Sequence, residues 1–86
     1  MNQVETVFIT GSSGGIGSAI AKKFNDIGYS LILTSSSKEK LIILKNLYGN
    51  DNYYYHLDLS DLNKITLTME EIVKKHPDIS IVINNA

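Results

Sequence analysis

No cysteine occurs anywhere in the chain, which rules out disulfide bridges and thiolate-ligated metal sites. Proline is nearly as scarce, with a single residue at Pro77, and no Pro-rich or otherwise biased segment suggests a linker or a disordered tail. Charge of one sign is lacking too. Eight basic residues stand against nine acidic ones, and a net charge of -1 is too small to draw a polyphosphate or an anionic membrane surface from a distance. Nucleic acid is therefore not an expected partner. Aliphatic runs such as Leu41 to Leu44 fall far short of the roughly 20 residues that span a bilayer. Residues Met1 to Glu5 lack the basic start and apolar stretch of a secretory leader. The expectation is a soluble, cytoplasmic protein with no membrane partner.

The chain has 86 residues, 43% of them hydrophobic and 20% charged, with six glycines, a composition that suits one small globular unit. Short β-branched or aliphatic runs alternate with segments of helical period, the pattern of βαβ units feeding a parallel sheet. The spacing predicts strands at about Val4 to Thr10, Ser30 to Thr34, Tyr53 to Leu57 and Ile79 to Ile83. The first helix, about Gly15 to Ile27, would bury Ile16, Ile20, Phe24 and Ile27 and stop at Gly28. A second helix would start at a capping box formed by Ser36 and Glu39, with Leu41, Leu44, Leu47 and Tyr48 inward. A third would be capped by Ser60 and bury Leu62, Ile65, Met69, Ile72 and Val73 before ending at Pro77. Four strands and three helices make an α/β, Rossmann-like doubly wound parallel sheet, partial and of strand order 3-2-1-4.

The densest signal is Thr10-Gly11-Ser12-Ser13-Gly14-Gly15-Ile16-Gly17, directly after a strand and opening a helix. In that context glycines let backbone N–H groups approach a pyrophosphate at the positive end of the helix. The alternative is that they only make a tight turn. The spacing resembles the Thr-Gly-x-x-x-Gly-x-Gly pattern of the single-domain branch of the short-chain dehydrogenase/reductase family. Because Gly14 is also present, the same residues fit Thr-Gly-x-x-Gly-x-x-Gly, the pattern of the extended branch of epimerases and dehydratases.

Two more elements favour the single-domain branch. Asn84-Asn85-Ala86, after the fourth strand, resembles its Asn-Asn-Ala-Gly motif. The resemblance implies that Asn84 supports the sheet and that Asn85 and Ala86 border the cofactor. Leu57-Asp58-Leu59-Ser60 resembles the family's Asp-x-Ser/Thr element, which implies that Asp58 and Leu59 meet the adenine. Read without the family, Asp58 and Ser60 would simply start a helix. Together these imply a cofactor site of Gly11, Ser12, Ser13, Gly14, Gly15, Ile16, Gly17, Ser35, Ser36, Asp58, Leu59, Asn85 and Ala86.

A carboxylate at the end of the second strand would select NAD. Thr34-Ser35-Ser36-Ser37-Lys38 carries no acid there, so NADP(H) is expected over NAD(H), although many NADP-using relatives have Arg or Lys where Gly14 stands. Lys38 and the capping role of Ser36 have surface explanations of their own. His56 and the tyrosines 53 to 55 are read as structural.

No Tyr-x-x-x-Lys, the family's proton-donating pair, occurs in the chain. The 86 residues are thus expected to be the N-terminal part of one dinucleotide-binding domain, inactive by themselves, truncated at the end of the fourth strand. The hydroxyl-rich Thr34 to Ser37 most resembles 3-oxoacyl-acyl-carrier-protein reductases of fatty-acid synthesis. The expected parent is an NADPH-dependent oxidoreductase reducing a small carbonyl or acyl substrate to an alcohol, as a homodimer or homotetramer. A non-catalytic Rossmann protein that binds or senses the nucleotide is the competing reading. A phosphate-binding NTPase is disfavoured, because no Gly-Lys-Ser/Thr follows the glycines.

Overall fold

The computed structural model of the chain describes residues 5–85. Its elements are β1 (Thr6–Ile9), α1 (Gly15–Asp26), β2 (Ser30–Ser35), α2 (Lys38–Tyr48), β3 (Tyr53–His56), α3 (Leu62–Lys75) and β4 (Ile79–Ile83). The strands form one sheet in the order β3-β2-β1-β4, every pairing parallel. That is the expected Rossmann-like order, with neighbours on both sides of β1. The ends of β1, β2 and β3 differ by a residue or more from the sequence expectation, and Val4 lies outside the described residues.

Alternation along the inner strands builds two cores. Val7, Ile9, Leu31 and Leu33 face α1 and α2, where Ala21 and Leu44 complete the cluster. Phe8 and Ile32 face the other way, onto Ile72 of α3. A strand buried on both faces must be apolar at successive positions, which is why Val7-Phe8-Ile9 and Leu31-Ile32-Leu33 are unbroken runs. A register shift beside Thr6 slips β4 by one residue, so Val82 pairs with Phe8 on the α3 side and is left exposed.

The helices are turned differently from the expected stripes. In α1 the sheet side is Gly17, Ile20, Ala21 and Phe24, while Ile16 and Ile27 are exposed. The small Gly17 and Ala21 let the helix axis approach the strands, and that sets the rotation. In α2 Leu41, Leu44 and Tyr48 pack inward and Leu47 does not. In α3 Met69 and Ile72 pack on the sheet, whereas Leu62 and Val73 are exposed.

Two caps also differ. Ser37, not Ser36, caps α2 by accepting from Lys40 N–H, and Asp61, not Ser60, caps α3 by accepting from Asn63 and Lys64 N–H. Gly28, at φ +94°, follows α1 in the left-handed region as expected of a helix-ending glycine.

At the opposite end of the sheet from the glycine-rich turn, His76 is buried after α3, with Nε2 2.8 Å from the Tyr55 hydroxyl and its ring edge-on to Tyr53. Burial pushes the His76 pKa down and the Tyr55 pKa up. A neutral ring accepting the Tyr55 proton satisfies both groups. These tyrosines thus anchor α3 to β3.

Candidate dinucleotide site

The strand order reverses its direction of growth at β1, and there the carboxyl ends of β1 and β4, paired as far as Ile9 and Ile83, flank the turn from Thr10 to Gly14. A cleft of about 530 Å³ opens at this end, within the size range of small-molecule sites. Its rim carries Gly11, Ser13, Gly14, Ser35, Ser36 and Asn85, and its floor is apolar, with Phe8, Leu57, Leu59, Ile65, Met69 and Val82.

The turn is held from three sides. Ser12 is buried; its N–H donates to the Thr34 carbonyl at 3.0 Å, its hydroxyl donates to the Ile9 carbonyl at 2.7 Å, and Thr34 N–H donates to its Oγ at 3.3 Å. Both donors of Ser12 are committed to the backbone, so its contribution is to fix the loop to β1 and β2. Thr10 ties β4: its N–H and hydroxyl reach the Ile83 carbonyl, and the hydroxyl also donates to Asn84 Oδ1 at 3.1 Å. Asn85 completes the clasp, its N–H donating to Thr10 Oγ1 at 3.0 Å and its Nδ2 to the Gly11 carbonyl at 3.3 Å. Ala86 lies outside the described residues.

The four glycines of the turn divide into two kinds. A Cβ on Gly11 would collide with the Asn85 carbonyl, and one on Gly17 with the Gly11 carbonyl. These two are required by the fold. A Cβ on Gly14 would make only ordinary contact with the Gly11 carbonyl, and one on Gly15 would meet nothing. The packing of the chain does not account for the smallness of Gly14 and Gly15, whereas a ligand lying against them would.

The helix start fits that ligand. Gly14 is the N-cap residue and offers no side-chain cap, and no acid occupies the first turn of α1. The N–H groups of Gly15, Ile16 and Gly17 lack intrahelical partners by construction and carry the positive end of the helix dipole. This donor set suits a pyrophosphate.

Around the rim, Ser13 Oγ lies 2.9 Å from Ser35 Oγ, bridging the glycine turn to the end of β2, and Ser36 is exposed beside them. Lys38 opens α2 as an exposed residue, and no carboxylate occurs from Thr34 to Lys38 at the end of β2. His56 Nε2 lies 2.9 Å from the Ser36 carbonyl and steadies this strand end. Asp58 is half-buried, and its Oδ1 accepts from the Ser60 hydroxyl at 2.6 Å and the Ser60 N–H at 3.0 Å. These hydrogen bonds hold its carboxyl below the usual range, so it stays ionised. Leu59 is exposed next to it on the cleft wall.

The sequence reading thus converges on one end of the sheet, and it missed Thr10 as the hub of the clasp. A hydroxyl immediately before Gly11 was the available signal. Among the described residues no His, Cys, Asp and Glu cluster could hold a metal ion, and no helix is long and apolar enough to cross a membrane.

Comparison with known proteins agrees with this geometry. The short chain dehydrogenase family pattern matches residues 5–86. The chain is 38% identical over 82 residues to the 3-oxoacyl-[acyl-carrier-protein] reductase FabG of Buchnera aphidicola subsp. Acyrthosiphon pisum, covering 95% of this chain and 34% of that protein. It is 31% identical to the NADP-dependent 3-hydroxy acid dehydrogenase YdfG of Salmonella typhi, covering 93% of this chain and 32% of that protein. Among solved structures, a metagenomic short-chain oxidoreductase in complex with NADP superposes with a TM-score of 0.82 at 29% identity, over 95% of this chain and 38% of that one. The chain therefore spans about a third of the length of these relatives. Strand order, glycine turn and family match together lead to one conclusion: this chain belongs to the short-chain dehydrogenase/reductase family of oxidoreductases.

Proposed function

We propose that residues 1–86 are the N-terminal, NADP(H)-binding part of a single dinucleotide-binding domain, in an oxidoreductase that reduces a carbonyl to an alcohol. The observation that carries the cofactor assignment is the rim of the cleft at the end of β2: hydroxyls of Ser13, Ser35 and Ser36, Lys38 nearby, and no carboxylate to repel a ribose phosphate. Gly14 to Gly17 would hold the pyrophosphate, the Ser13 to Ser36 rim the adenosine ribose phosphate, and Asp58 with Leu59 the adenine. Asn85 and Ala86 would border the cofactor on the β4 side.

When bound, the reduced nicotinamide supplies a hydride equivalent. This chain's own residues bind and orient: the clasp of Thr10, Asn84 and Asn85 fixes the loop, and the apolar floor excludes water from one face of the ligand. The proton that must reach the carbonyl oxygen is assigned to a tyrosine and lysine outside these 86 residues, since no Tyr-x-x-x-Lys lies within them. One relative is named a 3-oxoacyl-[acyl-carrier-protein] reductase and another a 3-hydroxy acid dehydrogenase, both for chemistry at carbon 3, and from the first we take a 3-oxoacyl thioester as the substrate class of the whole protein. A homo-oligomer in the cytoplasm is the assembly we propose for the whole protein.

The test is to supply the natural protein that carries this chain with NADPH and a 3-oxoacyl thioester on acyl carrier protein. Consumption of NADPH with formation of the 3-hydroxyacyl product is expected. Tight NADPH binding with no turnover of any carbonyl would favour the non-catalytic, nucleotide-sensing alternative instead.

A further inference from the structure

Met69 and Ile72 seat α3 on the sheet by apolar contact, and among the described residues one side-chain hydrogen bond adds to them, between His76 Nε2 and the Tyr55 hydroxyl at 2.8 Å. His76 is 8% exposed, with its ring edge-on to Tyr53 at 4.4 Å between centroids. The last turn of α3 ties it to the core, since His76 N–H donates to the carbonyl of the fully buried Ile72 at 2.9 Å. A neutral imidazole meets Tyr55 in either tautomer, as donor or as acceptor. An imidazolium can only donate, and its charge has to be buried as well. Neither ion pair among the described residues includes His76. From β3 it meets the two tyrosines, and Phe8 of β1 and Ile32 of β2 behind them are apolar. On its own side exposed Asp78 favours a charged ring, exposed Lys75 opposes it, and Glu71 is paired with Lys75 at 3.6 Å. Burial outweighs these charges and holds the ring below its ordinary pKa.

We propose that His76 is an acid-sensitive latch: protonation of its ring detaches the last turn of α3 from Tyr55 and loosens the helix that walls the cleft. Ile65 and Met69, which line the cleft, stand about three and two turns before His76 on that helix. The folded chain holds the ring neutral, whereas the unfolded chain takes up the proton more readily. The contribution to stability is therefore complete above the ordinary imidazole pKa of about 6.5 and is lost as pH falls through and below it. One proton limits the loss to about tenfold in the folding constant per pH unit. The latch does not depend on which molecule the cleft takes.

The experiment compares the natural protein with His76→Gln between about pH 7.5 and about pH 5, reading amide hydrogen exchange along α3 and the His76 ring proton by NMR. The ring should titrate with a midpoint below that of a free imidazole. Protection of the amides from Met69 to His76, corrected for the intrinsic pH dependence of exchange, should fall by roughly three- to tenfold over that range. His76→Gln, which keeps an uncharged hydrogen-bonding group but cannot take up the proton, should hold α3 protection level. A ring midpoint at or above that of free imidazole would overturn the latch. So would a titrating ring with α3 protection unchanged, or an equal acid-induced loss in His76→Gln. Should that variant fail to fold, the ring midpoint and α3 protection of the native protein decide between the same outcomes.

Discussion

Gly17→Ala is expected to destabilise the natural protein by about 1–3 kcal/mol and to remove dinucleotide binding. The added methyl would occupy the space of the Gly11 carbonyl and come within 2.7 Å of Asn85 Nδ2. Neither atom can retreat easily. The Gly11 carbonyl sits in a loop pinned by Ser12 to β1 and β2, and Asn85 is held to Thr10 at the end of β4. Relief requires α1 to slide outward, and that motion carries the first-turn N–H groups away from the cleft.

Gly11→Ala should fail for a related reason, with a further penalty of roughly 1–2 kcal/mol because φ is +62° there. Gly15→Ala is the informative contrast. Its methyl meets nothing in the protein, so stability should stay within about 0.5 kcal/mol of native while dinucleotide affinity falls. Chemical denaturation and a cofactor titration of the three variants separate these outcomes. A Gly17→Ala protein of native stability would contradict the packing argument, and a Gly15→Ala protein of native affinity would contradict the ligand argument.

The second large effect is expected at Ile72, whose side chain is fully buried between α3 and the sheet, against Phe8 and Ile32. It is the one α3 residue among those described that is fully buried. Ile72→Ala should destabilise by about 2–5 kcal/mol, since the removed methyls leave a cavity that the β-sheet side cannot collapse into, and Ile72→Val by only about 0.5–1.5 kcal/mol. Losing the α3 seat also loosens Met69 and Ile65, which form the apolar wall of the cleft. Urea unfolding of the two variants gives the graded series directly. Equal effects from Val and Ala would mean that α3 is seated by something other than this contact.

Much of the architecture was readable from periodicity. Unbroken apolar triplets in β1 and β2, bounded by turn residues, suit strands covered on both sides, and the alternation of such runs with helical stretches leads to a parallel sheet. The glycine turn was legible because its position between a strand and a helix restricts what its residues can do. The helix faces were less so. Hydrophobic spacing in α1 allows either Ile16 or Gly17 to face inward, and the closer approach permitted by Gly17 and Ala21 decides it.

Caps were misjudged for a physical reason as well. Ser36 and Ser37 are equally good N-caps by residue type, and so are Ser60 and Asp61, but it is Ser37 and Asp61 that stand directly before the first helical residue, with an extended backbone that aims the side-chain oxygen at the first free N–H groups. Ser60 is drawn instead to the Asp58 carboxylate. The links between Tyr55 and His76 and between Ser13 and Ser35 span 21 and 22 residues, and no local pattern could reveal them.

The most direct test of the account is calorimetric titration of the natural protein with NADPH and NADH side by side. Binding of NADPH at least about tenfold tighter than NADH is the predicted result, from one or more charge-assisted hydrogen bonds to the ribose phosphate at the Ser13 to Ser36 rim. Equal or tighter binding of NADH would contradict the assignment of that rim to the phosphate.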